Sequence, residues 1–311
     1  MFDILNVVAP VFALMALGYF AVRHKLYPAS GVAGLVAFVN NFATPCLLFN
    51  AMLTVDFGTA FMPGLILPFY FGAIVSLAVG AIIAVRIFKR RPGEGVSAGF
   101  SAMFTNTVLV GVPILQRAYG DEAMPIVYSI VALHAPVLIS LSMVIMELVR
   151  RDGTSLGGTL LIATKRVVMN PLLWGVAAGL AFNALGITLI EPAEAVVTML
   201  AMAVFPAALF GLGGALNAYR LADNWTQALA MSILKLIVQP AIAWVIMVPM
   251  LGVDPDLARY AVLLAAMPAG INVYVFATYY NRAVDVATNT ILISTVASVV
   301  TVPIWLALLS L

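Results

Sequence analysis

Charge is what this sequence lacks most. Of its 311 residues only 9% are Asp, Glu, Lys or Arg, whereas 64% are hydrophobic and the mean hydropathy is +1.11. A soluble domain carries about 25% charged residues. The composition therefore excludes an ordinary cytosolic enzyme, a disordered chain and a nucleic-acid-binding protein. It predicts an all-α polytopic membrane protein instead.

Cysteine and catalytic motifs are also scarce. The single cysteine, Cys46, excludes an intramolecular disulfide and a CxxC metal site. The sequence has no Walker A motif, no HExxH zinc motif and no pair of aspartates in the middle of a span. We therefore expect no enzymatic activity, no cofactor and no metal ion.

Long apolar runs are abundant, and a membrane span needs about 20 such residues. We predict ten spanning helices, at residues 3–22, 33–54, 62–87, 96–117, 122–148, 167–187, 193–217, 226–250, 258–280 and 286–310. The first run is long enough to span and is expected to be retained rather than cleaved. A cytoplasmic linker at 151–166 is predicted to separate residues 1–150 from residues 167–311.

The basic residues orient these spans, because Lys and Arg collect in cytoplasmic loops. Twelve fall in the loops that follow odd-numbered spans: Arg23, Lys25, Arg86, Lys89, Arg90, Arg91, Arg150, Arg151, Lys165, Arg166, Arg220 and Arg282. The opposite side has Arg117 and Arg259, and Lys235 lies inside the eighth span. Both termini are therefore predicted to be periplasmic or extracellular.

The two halves of the chain match each other at a constant offset of 161 residues. The matched pairs are Pro10 and Pro171, Gly18 and Gly179, Pro45 and Pro206, Phe49 and Phe210, and Tyr119 and Tyr280. Each half holds an odd number of spans, so the second half must be inverted in the membrane. Inverted repeats are typical of secondary transporters.

Two corresponding spans carry proline, glycine and asparagine near the middle, which predicts broken helices. The residues are Asn106, Thr107, Gly111 and Pro113 in the fourth span, and Pro268, Gly270 and Asn272 in the ninth. A half-helix that starts inside the membrane presents free N–H groups and a positive dipole end, which favour an anion. We predict that these residues, including the backbone N–H groups near Gly111 and Gly270, bind substrate. The alternative is two kinked helices that pack through their polar residues.

Two ionisable residues lie deep in predicted spans. Lys235 is a candidate for neutralising a half-helix C-terminus, for attracting a carboxylate or for carrying a proton, the alternative being a side chain that reaches the headgroups. His134 is a candidate proton relay, or a simple hydrogen-bonding partner between helices. Asn40 and Asn41 are candidates for a cavity wall or for interhelical contacts.

Four segments resemble the auxin efflux carrier family, which includes bacterial malonate and malate permeases. They read FTNTVLVGVPIL from Phe104, AAMPAGINVYVFA from Ala265, NNFATPCLLF from Asn40 and LKLIVQP from Leu234. The resemblance implies two inverted five-helix repeats with crossing broken helices 4 and 9, as in bile-acid symporters and sodium–proton antiporters. Helices 1, 2, 6 and 7 would form a scaffold, and helices 3–5 and 8–10 a transport domain. Asn106, Pro113 and Pro268 would fall at the crossing.

We therefore expect a secondary active transporter of small organic anions, such as malonate or malate, in the bacterial inner membrane. The first alternative is a sodium- or proton-coupled symporter of a larger amphipathic anion, similar to bile-acid symporters. An intramembrane enzyme and a channel or receptor are the alternatives from other classes. Expected partners are the organic anion, a coupling proton or sodium ion, membrane lipid, and a second copy bound through the scaffold helices.

Overall fold

The computed structural model describes residues 2–55, 61–150, 158, 161, 164–165, 168–218 and 223–310. This part of the chain is helical, and its β pairing is limited to one isolated bridge. The helices, numbered in chain order, are α1 (Phe2–Arg23), α2 (Ala29–Leu53), α3 (Pro63–Arg86), α4 (Pro92–Met103), α5 (Val112–Tyr119), α6 (Met124–Arg150), α7 (Pro171–Leu185), α8 (Glu191–Ala218), α9 (Trp225–Met250), α10 (Pro255–Ala265), α11 (Asn272–Tyr280) and α12 (Val284–Leu309). Wider π turns interrupt α2 at Val39–Ala43 and α9 at Leu234–Val238, and another, Thr107–Gly111, leads into α5.

Among the described residues, seven helical stretches are long and apolar enough to cross a membrane. They confirm a polytopic helical membrane protein. The three other predicted spans contain shorter helices. The fourth and ninth spans are divided into α4 and α5 and into α10 and α11. Helix α7 has 15 residues, about 22 Å at 1.5 Å per residue, which is less than the thickness of a bilayer core.

Helix boundaries follow from local chemistry. Pro63, Pro92, Pro171 and Pro255 each occupy the first turn of a helix, where the missing N–H leaves no intrahelical bond unmade. The Asn170 side chain caps α7 by accepting a 3.0 Å hydrogen bond from the N–H of Leu172. These caps fix where a uniformly apolar sequence begins a new helix.

Glycine allows close backbone contact between α1 and α8 and between α2 and α7. A side chain at Gly18 would collide with the carbonyl oxygen of Phe210. At Gly179, a Cβ would lie 2.6 Å from both the Phe49 carbonyl oxygen and the Met52 Cβ. Small residues at such contacts are how membrane helices gain packing energy without a hydrophobic driving force between them.

A polar cluster joins the end of α3 to the starts of α9 and α12. The Arg90 Nε donates to the Gln227 side chain at 2.9 Å, and its Nη2 lies 3.4 Å from the Asp285 carboxylate. The Asn224 side chain donates to the same carboxylate. The loops after the third, seventh and ninth predicted spans therefore meet at one end of the molecule, called here the Arg90 end.

Some predictions fall on parts of the chain that the structure does not describe. Most of the predicted linker at 151–166 lies outside the described residues. Arg151, Arg166 and Arg220 also lie outside them. The ends of the remaining predicted spans agree with the helices to within several residues.

The glycine contacts generate a stability prediction. A Gly179→Leu substitution should destabilise the protein by about 1–3 kcal/mol, because α2 and α7 must move apart to admit the side chain. Thermal unfolding of the purified protein in detergent would measure this as a lower Tm. The matched control is Gly34→Leu in α2, where an added Cβ meets nothing within 4 Å. Equal Tm values for the two variants would contradict the close-packing account.

Candidate functional site

The two interrupted segments pair with each other in the middle of the molecule. The N–H of Asn106 donates to the carbonyl oxygen of Pro268 at 2.8 Å, and the N–H of Gly270 donates to that of Phe104 at 3.1 Å. Thr105 and Ala269 form the antiparallel bridge between them. Both residues are fully buried, so water cannot satisfy their backbone groups. Each broken segment therefore supplies the hydrogen-bond partners that the other lost when its helix ended.

Side chains from two other helices complete this pairing. The N–H of Ala269 donates to the Ser294 hydroxyl of α12 at 3.1 Å. The N–H of Thr105 donates to Nε2 of His134, in α6, at 3.1 Å. The crossing is therefore held within a frame of intact helices rather than by the two broken segments alone.

Asn106 caps the turn that follows the first break. Its side-chain Oδ1 accepts a 3.2 Å hydrogen bond from the N–H of Leu109, and its carbonyl oxygen accepts from the N–H of Gly111 at 3.0 Å. The residue is 5% exposed, and its Nδ2 has no hydrogen-bond partner within the described protein. A buried amide donor without a partner costs free energy unless a ligand or water accepts from it.

A cavity of about 60 Å³ lies beside this amide. It is lined by Asn40, Phe104, Thr105, Asn106, Thr107, Val108, Leu109, Val131, His134, Ala135, Leu172, Gly270, Ile271 and Asn272. Asparagine, threonine and histidine supply the polar side chains, and no Asp, Glu, Lys or Arg is among the described residues that line the cavity. Such a wall offers hydrogen bonds to an anion without repelling it.

A much larger cavity of about 750 Å³ leads away from the first. Its walls come from α1, α2 and α8 on one side, including Val36 and Asn217, and from α11 and α12 on the other, including Tyr274 and Thr288. Asn40 and Ile271 line both cavities. We call the larger cavity the vestibule; it lies toward the Arg90 end, since Val22, Ala218 and Thr288 line it.

Asn40 is a residue for which the sequence left two roles open, a cavity wall or an interhelical contact. It lies in the π turn of α2, at the junction of the two cavities. Such turns are rare in helices and occur often at functional sites. The Asn-Asn-x-x-Thr-Pro sequence signals a helix perturbed before Pro45, but it does not reveal that both asparagines line the vestibule while only Asn40 also lines the small cavity.

Lys235 is completely buried and lies beside the second break. Its Nζ donates a 2.6 Å hydrogen bond to the carbonyl oxygen of Ala265, the last residue of α10. This hydrogen bond occupies a carbonyl group that the end of α10 leaves without an intrahelical partner. The side chain is buried rather than extended to the headgroups, and its predicted roles in neutralising a half-helix C-terminus, attracting a carboxylate or carrying a proton stay predictions.

His134 is 1% exposed and packs between aromatic rings, with the Phe104 ring centroid 4.6 Å from its own. Its Nε2 accepts the hydrogen bond from Thr105, so the imidazole proton lies on Nδ1. Nδ1 has no partner among the described residues. His134 thus acts as a fixed acceptor at the first break, and its predicted role in proton transfer stays a prediction.

The structure places half of the predicted substrate-binding residues, together with the predicted proton relay His134, in the wall of one cavity. Asn106, Thr107, Gly270, Asn272 and His134 line the cavity. Gly111, Pro113, Pro268 and Lys235 do not. The N–H groups of Gly111 and Gly270 already donate to carbonyl oxygens of the protein. Among the described residues, no cluster of three or more His, Cys, Asp or Glu could hold a metal ion.

Comparison with known proteins identifies the family. Residues 3–306 match the sequence profile of the family described as membrane transport protein. The chain belongs to this family. The resemblance to auxin efflux carriers is thereby confirmed, and the descriptions of the family and of its malonate-transporter and auxin-carrier relatives name transport rather than an enzymatic reaction.

Three relatives illustrate the range of this family. The chain is 26% identical to a "Putative malonate transporter" of Rhizobium meliloti (strain 1021), covering 97% of this chain and 94% of that protein. It is 25% identical to "Auxin efflux carrier component 8" of Arabidopsis thaliana, covering 90% of each. It is 27% identical to the "Lysosomal cholesterol signaling protein" of Mus musculus over 95% of this chain but 36% of that protein.

The Lys235 contact generates a second prediction. A Lys235→Met substitution keeps the length of the side chain but leaves the Ala265 carbonyl oxygen without its donor, which should cost about 1–3 kcal/mol. The measurement is the Tm of the purified protein in detergent. Lys165→Met, at an exposed position, is the matched control and should leave Tm unchanged. A Lys235→Met protein as stable as the parent would show that the contact does not stabilise the break.

Proposed function

We propose that this protein is a secondary active transporter of small organic anions, mono- or dicarboxylates such as malonate or malate. The observation that carries the proposal is the Asn106 side chain, which lines a small cavity without acidic side chains and whose buried Nδ2 donor has no partner among the described residues. A carboxylate oxygen would accept from this donor. The relative named as a malonate transporter supports the same class of substrate.

The electrostatics of the broken helices favour an anion as well. Helix α11 begins at Asn272, and the turn that leads into α5 begins at Thr107, so both helix N-termini face the crossing. Their partial positive charge attracts an anion without a fixed countercharge. Binding through dipoles and amides is weak enough for release, which a transporter needs as much as capture.

We further propose ten spans in two inverted repeats. Packing contacts support this, because Gly18 contacts Phe210 while Gly179 contacts Phe49. Under the offset of 161 residues each pair is converted into the other. The same helix–helix contact is thus made once by each half, as a pseudo-twofold axis in the membrane plane requires.

The vestibule suggests how the substrate moves. We assign α1, α2, α7 and α8 to the scaffold, and α3–α6 and α9–α12 to the transport domain. The vestibule lies between walls from these two groups and reaches the small cavity through Asn40. Displacement of the transport domain would close the vestibule and open a path at the other end, which is alternating access.

The proposed setting is the bacterial inner membrane, with both termini outside the cytoplasm. The Arg90 end carries the loops that hold most basic residues and would face the cytoplasm. The vestibule would then open inward in this structure. Exposed apolar side chains on the scaffold, such as Trp174 and Met199, would contact lipid or a second copy in a homodimer.

A second candidate is a sodium- or proton-coupled symporter of a larger amphipathic anion. The size of the vestibule favours it, because about 750 Å³ with mostly apolar walls is within the range of cavities that hold drug-sized ligands. In that case His134 or Lys235 would be the groups to examine for proton coupling.

Flux into proteoliposomes tests the two candidates against each other. Malonate, malate, pyruvate, acetate and indole acetate would be offered with and without sodium and pH gradients. Saturable uptake and counterflow of the small carboxylates support the first candidate, and uptake of only the larger anion supports the second. Binding without flux would indicate a receptor and contradict both.

The Asn106 amide generates the third prediction. Asn106→Asp keeps the oxygen that caps Leu109 but replaces the Nδ2 donor by a negatively charged acceptor. We expect carboxylate uptake per folded protein to fall by about tenfold or more, as for loss of an interaction worth roughly 1.4 kcal/mol. The Tm should fall as well, because the new carboxyl group is buried without a cationic partner. The control is Asn50→Asp, where the amide contacts Thr198 of α8 away from the cavity. Normal carboxylate uptake by Asn106→Asp would mean that the assigned site is wrong.

A further inference from the structure

Pro10 leaves one backbone carbonyl group of α1 without its usual N–H donor. In an α-helix, residue 10 would donate its N–H to the carbonyl oxygen of residue 6. Pro10 lies inside α1 and has no N–H, and its ring pushes against that carbonyl. The Asn6 carbonyl oxygen therefore needs a donor from outside its own helix.

Arg117 supplies this donor from another part of the molecule. Its Nη2 donates to the Asn6 carbonyl oxygen at 2.9 Å, and its Nε donates to the Val7 carbonyl oxygen at 3.0 Å. Arg117 lies in the last turn of α5, so it continues directly from the first break. The rigid fork of the guanidinium suits two adjacent acceptors, and both hydrogen bonds are assisted by its charge.

A second carbonyl group freed by a proline also has a side-chain donor, but that donor belongs to the same proposed domain. Pro240 cannot donate to the Leu236 carbonyl oxygen, and the Trp305 indole N–H donates to that oxygen at 2.8 Å. Both residues belong to helices of the proposed transport domain. Arg117, by contrast, joins the proposed transport domain to the proposed scaffold.

The Arg117 contact lies far from the vestibule along α1. It lies at the end of α1 opposite the vestibule, about 22 Å from Val22 at 1.5 Å per residue, and Val22 lines the vestibule. We propose that Arg117 and the Pro10-freed carbonyl form a latch that holds the far side of the transporter closed while the vestibule is open. This inference rests on the alternating access proposed above.

The latch would have to open in each transport cycle. If the transport domain moves relative to α1, the two hydrogen bonds break, and the guanidinium, which is exposed, can be hydrated instead. A reversible contact of this kind biases a two-state equilibrium without locking it. Removing it should move molecules from the state with an open vestibule to the opposite state.

Cysteine labelling of the vestibule tests the latch. The parent carries Cys46→Ala, which removes the single cysteine, and Ala37→Cys, at an exposed position in the vestibule wall. The labelling rate with a polar maleimide would be measured in nanodiscs, where both faces are accessible. Adding Arg117→Ala should lower that rate by about threefold or more, because fewer molecules keep the vestibule open.

Arg259→Ala is the matched control, because it removes a basic residue from the same end of the molecule. The Arg259 guanidinium lies over the Tyr119 and Tyr260 rings, at 5.0 and 5.4 Å from their centroids, and pairs with Asp256 at 2.9 Å. All three partners belong to the proposed transport domain. The labelling rate in Arg259→Ala should stay at the parent value, and an equal fall in both variants would overturn the latch.

Pro10→Ala tests the same inference without changing any charge. The new N–H would bond to the Asn6 carbonyl oxygen within α1 and compete with Arg117, so the labelling rate should fall, and Pro10→Ala should add little to Arg117→Ala. Unchanged labelling in Arg117→Ala overturns the latch. If Arg117→Ala is not recovered in folded form, Pro10→Ala decides: a lower rate supports the latch and the parent rate overturns it.

The labelling measurement needs no substrate. A protein that transported none of the carboxylates but responded to Arg117→Ala would retain the latch and lose the proposed function. A protein that transported malonate and showed unchanged labelling would retain the function and lose the latch.

Discussion

The structure depends on one constraint: a backbone N–H or carbonyl group in apolar surroundings must find a partner inside the protein. A chain with 9% charged residues meets it first with helices. Where two helices stop in the interior, the exposed groups of Asn106 and Gly270 are satisfied by Pro268 and Phe104. The crossing exists because each break supplies hydrogen-bond partners to the other. The proposed substrate site is the place where one amide donor, Nδ2 of Asn106, has no partner among the described residues.

Because charged residues are scarce, the few polar side chains at the crossing each make a particular hydrogen bond. Lys235 completes the end of α10, and His134 accepts from the first broken segment. Asn106 uses one side of its amide to cap a turn and keeps the other for the cavity. If the proposed anion binds here, amides, hydroxyls and helix ends would recognise it and would still allow its release, since no Asp, Glu, Lys or Arg is among the described residues of the cavity wall.

Much of the site could be predicted from the sequence, because helix breakers act locally. Proline, glycine and asparagine in the fourth and ninth spans located both breaks, and the basic loops indicated an orientation. The pairing itself was less accessible. The offset of 161 makes Ala266 the counterpart of Thr105, but equivalence between the two halves does not say which residues meet, and Thr105 pairs with Ala269. The partner of Lys235 was one of several chemically reasonable choices, and only the position of Ala265 selects it.

By itself, the sequence determined the class of the protein, the positions of its helix ends and breaks, and its family, since these follow from composition, local backbone chemistry and motifs. Tertiary structure decided which polar atoms are left free. The N–H groups of Gly111 and Gly270 donate to carbonyl oxygens, whereas Nδ2 of Asn106 has no partner in the part of the chain that the structure describes. It also brought Arg117 to the carbonyl that Pro10 exposes, across 111 residues of chain. Hydrogen-bond partners so far apart in sequence are fixed by helix packing, which no local pattern encodes.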